Sequence, residues 1–197
     1  MLSASIDGKD ALDICSAPGG KAVLISELTP HGKVTACDIH EHRVRLIQSY
    51  KERMHVPNVN AIVSDASKFN PEFENKFDYV LLDAPCSCFG TFRKHPDVFL
   101  SRDENDILKL ANTQKEILKN AVRYLKNGGI LVYSTCTIFD EENRQVVESI
   151  LEKGKYELEK IDFNNDKLNA RFKNKGTISI LPHDEYDGFY IARIKKA

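Results

Sequence analysis

Two cysteines stand where a parallel sheet would place reactive groups. The chain has cysteines at positions 15, 37, 86, 88 and 136, an odd number for 197 residues, which favours reduced thiols over a disulfide framework. Cys86 and Cys136 each directly follow an apolar segment with the composition of a buried strand. A thiolate is a strong nucleophile, so this placement predicts covalent catalysis by sulfur.

Aspartates mark other strand ends. Asp38, Asp65 and Asp83 stand at or just after predicted strands. In an open parallel sheet the carboxyl ends of the strands meet at one edge, where ligands bind near the point at which the strand order reverses. Asp38 comes eighteen residues after Gly20, where a carboxylate commonly holds ribose hydroxyls. These residues predict a nucleoside site.

The loop after the first strand narrows the choice of cofactor. Gly19 and Gly20 let a ligand approach the backbone, and the helix that follows offers free amide donors to a carboxylate. The loop lacks the G-x-G-x-x-G pattern, so S-adenosylmethionine fits better than a pyrophosphate dinucleotide. The alternative, that the glycines only turn the chain, is weakened by the strand-end aspartates.

Two thiols beside a methyl donor have a specific chemical use. Carbon 5 of cytosine is a poor nucleophile, but addition of a thiolate to carbon 6 gives an enamine whose carbon 5 can attack a methyl sulfonium. A base must then remove the carbon 5 proton, and a group near ring nitrogen 3 must support the adduct. A second thiol and Asp83 could fill those roles. Alternatively Cys136 is a packed strand residue, which is the expected role of Cys15 and Cys37.

A zinc site is the other use for clustered cysteines. Cys86, Cys88 and His95 are close in sequence, but the chain has no second Cys-x-x-Cys motif or His pair. A structural zinc site needs four ligands at close spacing. We therefore expect no metal, and Cys88 is assigned no role.

The spacing of apolar segments indicates how these residues are positioned. Strands are predicted at residues 11–15, 33–37, 59–63, 77–82 and 130–134, with helices at 21–28, 40–53, 107–125 and 140–152. Shorter segments at 156–161, 178–181 and 188–194 extend the sheet. The alternation predicts an α/β fold with a doubly wound, mostly parallel, seven-stranded sheet and helices on both faces.

Composition and charge limit the remaining possibilities. The chain is 42% hydrophobic and 29% charged, which is typical of one globular domain. The formal charge of −1 excludes a global cationic field, so a polyanion partner must meet a local patch. No apolar run approaches the roughly 20 residues of a membrane helix, and residues 1–10 lack the pattern of a secretory signal. We expect no membrane partner and a cytoplasmic location.

Five motifs resemble one known family. They are D-I-C-S-A-P-G-G-K at 13–21, D-A-P-C-S at 83–87, R-K-H-P-D at 93–97, S-T-C-T at 134–137 and D-G-F-Y at 187–190. Together and in this order, they resemble the Nol1/Nop2/Sun family of RNA cytosine-C5 methyltransferases. The resemblance implies a Rossmann-like methyltransferase fold, S-adenosylmethionine as cofactor and RNA as substrate, with 16S ribosomal RNA expected.

The resemblance also implies residue roles. Cys136 would be the nucleophile and Cys86 would assist release, with Asp83 facing both cofactor and base and Lys21 near the reacting groups. Asp38 would hold the ribose and Asp65 would lie by the adenine. The full set expected to bind the cofactor is Cys15, Ser16, Ala17, Pro18, Gly19, Gly20, Lys21, Asp38, Arg43, Asp65 and Asp83.

For RNA contact the expected residues are Arg93, Lys94 and His95, which follow Cys86. A second basic stretch runs over residues 167–175. The target base must leave its stack to reach a pocket, so single-stranded or opened RNA is the expected substrate.

Family members carry helices and often an RNA-binding domain ahead of the first strand. Here the first predicted strand begins at residue 11, so we expect residues 1–197 to form a single, monomeric catalytic domain without that region. Ser16 stands where the family usually has alanine, and Cys88 where a small residue is common. Three rival functions remain: a DNA cytosine methyltransferase that attacks through Cys86, a non-catalytic RNA-binding module in ribosome assembly, and a dinucleotide-dependent oxidoreductase.

Overall fold

One sheet, four α-helices and two short 3-10 helices, at Pro71–Phe73 and Phe89–Thr91, form the secondary structure of the described part of the chain. The computed structural model describes residues 6–97, 103–151, 155–162, 170–174 and 176–197. The helices are α1 (Gly20–Leu28), α2 (Glu41–Arg53), α3 (Glu104–Tyr124) and α4 (Arg144–Leu151). The strands are β1 (Ala11–Asp13), β2 (Val34–Asp38), β3 (Val59–Val63), β4 (Phe77–Asp83), β5 (Leu125–Thr135), β6 (Tyr156–Leu158), β7 (Ala170–Asn174), β8 (Thr177–Ile180) and β9 (Phe189–Lys196).

The strand order places a switch point between β1 and β4. The sheet runs β3-β2-β1-β4-β5-β9-β8-β7, and β6 lies off this path, paired with the last residues of β9. The strands from β3 to β5 are parallel, and β9, β8, β7 and β6 add antiparallel pairs. Asp13 on β1 lies opposite Leu81 on β4, and Asp83 lies opposite Ser134 on β5. Asp13 and Asp83, at the carboxyl ends of β1 and β4, therefore lie at the same edge of the sheet, beside the switch point.

Helices cover both faces of the sheet, which confirms the doubly wound prediction. On one face, α3 and α4 pack through Leu118, Val146 and other apolar residues against Leu82 and Tyr133 of the sheet. On the opposite face, Ala22 of α1 and Ile47 of α2 pack against β1, β2 and β3. Successive strand residues point to opposite faces, so β1 and β2 are buried on both sides, whereas Tyr79 and Leu81 of β4 line an apolar groove beside α1.

Local sequence determines where the longest helix begins and ends. The Asp103 side chain accepts a hydrogen bond from the backbone N–H of Asp106, and the Asp106 side chain accepts one from the backbone N–H of Asp103, which makes a capping box. Apolar residues at helical spacing then bury one side of α3. The helix ends at Tyr124, and β5 starts with the next residue.

The fold class is confirmed, but the strand count differs from the prediction. A seven-stranded sheet was expected although eight strand segments were predicted; all eight form strands in the described residues, and β7 makes nine. The sequence pattern missed β7, because its basic composition resembles a solvated loop. The last predicted helix begins at Arg144 rather than 140, which leaves Glu142 and Asn143 in the preceding turn.

Among the helices within the described ranges, none has the length and apolar character needed to cross a membrane.

Candidate active site

The loop between β1 and α1 has a shape that only glycine allows at one position. Gly19 has a φ of 110°, and a Cβ there would lie 3.2 Å from the Cα of Ile47. Its amide donates to the carbonyl of Ser16 at 2.8 Å, which closes the turn before α1 begins at Gly20. Any side chain at position 19 would be strained and would push against α2.

The predicted ribose ligand is held by an arginine. Asp38 is buried at the end of β2, and its Oδ2 lies 3.3 Å from Nη1 of Arg43. Nη2 of the same guanidinium donates to the carbonyl of Ala17 at 3.2 Å, and the backbone N–H of His40 donates to the Asp38 Oδ1 at 3.1 Å. Arg43 thus links Asp38 to the glycine loop. Arg43, Asp38 and the loop residues all belong to the set predicted to bind the cofactor.

Asp13 is a buried carboxyl that the sequence reasoning did not assign. It is 1% exposed, and neither carboxyl oxygen has a hydrogen-bond partner within the described part of the chain. Burial raises the pKa of Asp13 to about 7 with help from the negative charges of Asp83 and Asp38, although the nearby Ser16 hydroxyl, which is too poorly placed for a full hydrogen bond, and the Lys21 charge oppose the rise. The hydroxyl of Ser16 is also buried and unpartnered among the described residues. Buried polar atoms of this kind call for a polar ligand or water.

Asp83 and Lys21 form an ion pair at the switch point. Nζ of Lys21 lies 2.6 Å from Oδ2 of Asp83, and the hydroxyl of Ser134 donates to Oδ1 at 2.7 Å. Both carboxylate oxygens of Asp83 therefore have partners from neighbouring elements. An apolar groove of about 520 Å³ borders this pair, and its walls include Lys21, Ser134, Leu24 and Leu81.

Asp65 follows β3 and is bonded locally. Its Oδ1 accepts hydrogen bonds from the backbone N–H and hydroxyl of Ser67 at 3.0 and 2.6 Å, and Lys68 lies 3.3 Å from Oδ2. The Ser67 hydrogen bonds lower the pKa of Asp65 below its usual value. The carboxylate is charged and half-buried at neutral pH.

The two predicted reactive thiols are in contact. The Sγ atoms of Cys86 and Cys136 lie 3.3 Å apart, one after β4 and the other after β5. Hydrogen bonds with Cys136 and Cys88, together with burial, raise the pKa of Cys86. The Cys86 hydrogen bond lowers the pKa of Cys136, but the Cys88 thiol, burial and the Asp83 charge outweigh it and raise the pKa above its ordinary value. Both thiols are protonated at neutral pH in this arrangement.

A buried polar network fixes the two thiol segments. The carboxylate of Glu142, which is fully buried, accepts from the backbone N–H and hydroxyl of Ser87 at 2.9 and 2.5 Å and from Nε2 of Gln114 at 2.9 Å. The Ser87 hydroxyl also lies 2.9 Å from that of Thr137. Ser87 follows Cys86 and Thr137 follows Cys136, so the network ties one segment to the other. Sequence reasoning missed Glu142 because it placed this residue in the first turn of a helix.

Close backbone packing holds the same region. The amide of Gly90 donates to the carbonyl of Cys136 at 2.8 Å, and the Gly188 amide donates to the Gly90 carbonyl at 2.7 Å. A Cβ on Gly90 would lie 2.6 Å from the Cys136 carbonyl oxygen. Residue 90 must therefore be glycine for this loop to reach β5 and the D-G-F-Y segment.

The basic residues after Cys86 are paired with an acidic one. Lys94 Nζ lies 2.6 Å from Oδ2 of Asp187, and Nη2 of Arg93 lies 3.7 Å from Oδ1. Arg93 also donates to the carbonyl of Asp184. His95 is exposed beside them. In the second basic stretch, Lys167 and Lys175 lie outside the described residues, as do the side chains of Arg171 and Lys173.

The strand order, the glycine loop and the strand-end carboxylates define a Rossmann-like methyltransferase fold. The family model described as 16S rRNA methyltransferase RsmB/F matches residues 1–195, and the chain belongs to that family.

Individual relatives agree with this membership. The chain is 38% identical over 210 residues to the probable ribosomal RNA small subunit methyltransferase B of Bacillus subtilis, covering 100% of the chain and 46% of that protein. It is 39% identical to the ribosomal RNA small subunit methyltransferase B of Photorhabdus laumondii, covering 97% of the chain and 43% of that protein. The chain thus spans less than half the length of these curated relatives.

A solved structure is similar throughout the chain. The crystal structure of NSun6 from Pyrococcus horikoshii with SFG matches with a TM-score of 0.84 and 32% identity, covering 95% of this chain and 48% of that one.

Proposed function

We propose that this chain is a catalytic domain that methylates carbon 5 of a cytosine in RNA, with 16S ribosomal RNA as the substrate and S-adenosylmethionine as the methyl donor. The observation that carries the proposal is the contact of Cys86 with Cys136, whose sulfurs lie 3.3 Å apart at the ends of β4 and β5. One thiol suffices for a nucleophile. A second thiol in contact with the first supplies a group that can accept the carbon 5 proton of the methylated adduct.

The residues around the glycine loop fit the cofactor. Asp13 and Ser16 present buried polar atoms without partners among the described residues, as expected where a polar ligand binds. Asp38 would hold the ribose, Asp65 would lie by the adenine, and residues 15–21 would contact the amino-acid portion. The NSun6 relative was solved with SFG, an S-adenosylmethionine analogue, which supports the same assignment. When bound, S-adenosylmethionine supplies the methyl group.

Cys136 performs the covalent step in this proposal. The Cys136 sulfur bonds to carbon 6 of the cytosine, its thiol proton passes to ring nitrogen 3, and the displaced ring electrons form a carbon 4–carbon 5 enamine, which makes carbon 5 nucleophilic. Asp83 faces ring nitrogen 3 and stabilises the adduct, while Lys21 holds Asp83 through the 2.6 Å ion pair. The protonated resting state of Cys136 means that proton removal accompanies substrate binding.

Cys86 performs the release step. After methylation carbon 5 carries both a methyl group and a proton. With the Cys136 sulfur bonded to carbon 6, the Cys86 thiol gives its own proton to solvent and, as a thiolate, accepts the carbon 5 proton. The electron pair of the broken carbon–hydrogen bond restores the ring double bond, and the Cys136 sulfur leaves carbon 6. Contact between the two sulfurs places Cys86 beside the bond that breaks.

RNA would reach this site past the loop that follows Cys86. Arg93, Lys94 and His95 are exposed there; the arginine and lysine provide cationic contacts for phosphates, and the imidazole can hydrogen-bond to them. The target cytosine must leave its stack to enter a site with half-buried Cys136, so unpaired RNA is the substrate.

Trapping the adduct tests the proposal. RNA that carries 5-fluorocytosine has no carbon 5 proton to lose, so the adduct should persist. We expect protein joined to RNA after incubation with S-adenosylmethionine, with mass spectrometry locating the bond at Cys136. An adduct at Cys86 would support the rival DNA-type mechanism and would contradict the proposal.

Replacing the nucleophile should separate chemistry from binding. Cys136→Ala should abolish methyl transfer, measured with labelled S-adenosylmethionine and ribosomal RNA, while calorimetry shows unchanged cofactor affinity. Cys37→Ala is the matched control, because Cys37 is buried in β2 and should retain transfer. Normal transfer by Cys136→Ala would remove that residue from its proposed role.

Replacing the second thiol should stall the reaction after methylation. With RNA that contains ordinary cytosine instead of 5-fluorocytosine, Cys86→Ser should accumulate protein joined to RNA, visible on a denaturing gel, because release of the methylated base from Cys136 slows. A clean gel together with normal turnover would contradict the release role of Cys86.

A further inference from the structure

Three thiols, rather than two, meet at the candidate active site. The Sγ atoms of Cys86, Cys88 and Cys136 all lie within 4.8 Å of one another. The proposed methyl transfer uses Cys86 and Cys136 and leaves Cys88 without a role. We propose that these three sulfurs form a binding site for one thiophilic divalent cation of the Zn²⁺ class.

The sulfur spacing fits tetrahedral coordination. Zinc–sulfur bonds are about 2.3 Å long, so two sulfurs on one tetrahedral zinc lie about 3.8 Å apart. The Cys86 and Cys136 sulfurs are 3.3 Å apart, and no pair of the three exceeds 4.8 Å. Shifts of roughly 1 Å or less in side-chain position would bring all three to bonding distance of one ion. Cys88 and Cys136 are half-buried, which leaves a side open for water as fourth ligand.

The backbone brings these residues together before any ion binds. Cys86 and Cys88 belong to one turn, and the thiol of Cys88 donates to the Cys86 carbonyl at 3.4 Å. The third ligand comes from the end of β5, which the 2.8 Å bond from the Gly90 amide to the Cys136 carbonyl holds against that turn. The Ser87 to Thr137 contact fixes the same two segments from the buried side.

The conformation of Cys88 supports a role for its side chain. Its φ of 64° and ψ of 17° lie in the left-handed region, where glycine is favoured and other residues cost about 1–2 kcal/mol. The turn therefore carries a thiol at a position where glycine would be more stable. Because the strain places that sulfur beside Cys86 and Cys136, the geometry is suited to a three-sulfur site.

Binding needs no redox partner. Three thiols release three protons to solvent and form three sulfur–metal bonds, so a doubly charged ion gives a complex with a net charge of −1. Co²⁺ and Cd²⁺ have similar thiolate chemistry and serve as spectroscopic probes. An ion held in this way occupies both sulfurs of the proposed methyl transfer, so metal binding and catalysis exclude each other. Only this last consequence rests on the proposed function.

Co²⁺ titration of the reduced chain tests the site without RNA or cofactor. We expect one equivalent to give near-ultraviolet thiolate-to-cobalt bands and the intense visible bands of tetrahedral cobalt. Cys88→Gly suits the left-handed backbone and keeps the fold, so it should lose about a third of the thiolate band and weaken binding by about tenfold or more. Cys37→Ala should behave like the parent chain.

The titration can overturn the proposal in two ways. A folded, fully reduced parent chain that gives no thiolate band has no such site. Cys88→Gly with the parent's spectrum and affinity would show that the third sulfur is not a ligand. Neither the cobalt spectrum nor the cobalt affinity requires methyl transfer, so failure of the metal site is distinguishable from failure of the proposed function.

Discussion

At the residue scale, Asp13 couples folding to pH. Burial raises its pKa from 3.8 to about 7. The folded chain keeps the carboxyl protonated at a pH where the unfolded chain has already ionised it. The stability contribution of Asp13 is therefore fully present below pH 3.8 and is lost as the pH rises through about 7. The loss amounts to about 4 kcal/mol at most, at about 1.4 kcal/mol for each pKa unit.

Asp13→Asn should remove this pH dependence. The variant cannot ionise at position 13, so its free energy of unfolding should rise relative to the parent as the pH increases from 4 to 7. Urea unfolding at several pH values measures the difference. Parallel curves for the two chains across that window would show that Asp13 is ionised in the folded state.

Residue patterns predicted the thiols but not the buried carboxyl. Cys86 and Cys136 follow strands that are adjacent in the sheet, so their meeting follows from topology. Cys88 joins them through a left-handed turn, which the sequence predicts only where glycine or asparagine is present. Asp13 looks like an ordinary strand-end residue, and its lack of partners depends on three-dimensional packing. The proposed roles of the cofactor residues remain predictions.

At the element scale, Glu142 joins β4, β5 and α3. Its carboxylate accepts three hydrogen bonds, two from Ser87 and one from Gln114, and its backbone carbonyl accepts one from the Tyr133 hydroxyl of β5 at 2.5 Å. Gln114 also donates to the carbonyl of Pro85 at 2.8 Å, beside Cys86. Buried donors that lose their acceptor cost about 1–3 kcal/mol each, so the carboxylate contributes mainly by satisfying these groups.

Glu142→Ala should destabilise the chain by about 3–5 kcal/mol, because the donors of Ser87 and Gln114 lose their common acceptor. Urea unfolding measures the change. Glu141→Ala, at the half-buried neighbouring position, is the control and should change stability by no more than about 0.5 kcal/mol. Equal losses for the two variants would mean that the network does not stabilise the thiol segments.

The sequence predicted element order better than element ends. The five parallel strands and the four described helices were all expected, because their apolar periodicity is strong. The pattern could not separate the turn at 140–143 from α4, since acidic residues are also typical of a helix start. It was also wrong about the number of strands, because the antiparallel edge is built from short segments whose pairing depends on β9.

At the scale of the whole molecule, the charge of −1 makes RNA affinity depend on local cations. The cations proposed to meet phosphate are engaged by Asp187, whose pKa is lowered chiefly by its hydrogen bond with Lys94. If RNA binds as proposed, its phosphates compete with this carboxylate for Lys94 and Arg93. Under that proposal Asp187 weakens RNA binding even though it lies outside the proposed chemistry.

Asp187→Asn should release that competition. We expect tighter binding of single-stranded RNA at low salt, and a slope of log affinity against log salt that is steeper by about 0.7, the value for one additional phosphate contact. Fluorescence anisotropy over a series of salt concentrations measures the slope. Adding Lys94→Gln to Asp187→Asn should return the slope to the parent's value, since the double variant lacks the released cation. If Asp187→Asn alone keeps the parent's slope, RNA does not contact this surface, and the cationic contacts must come from elsewhere on the molecule.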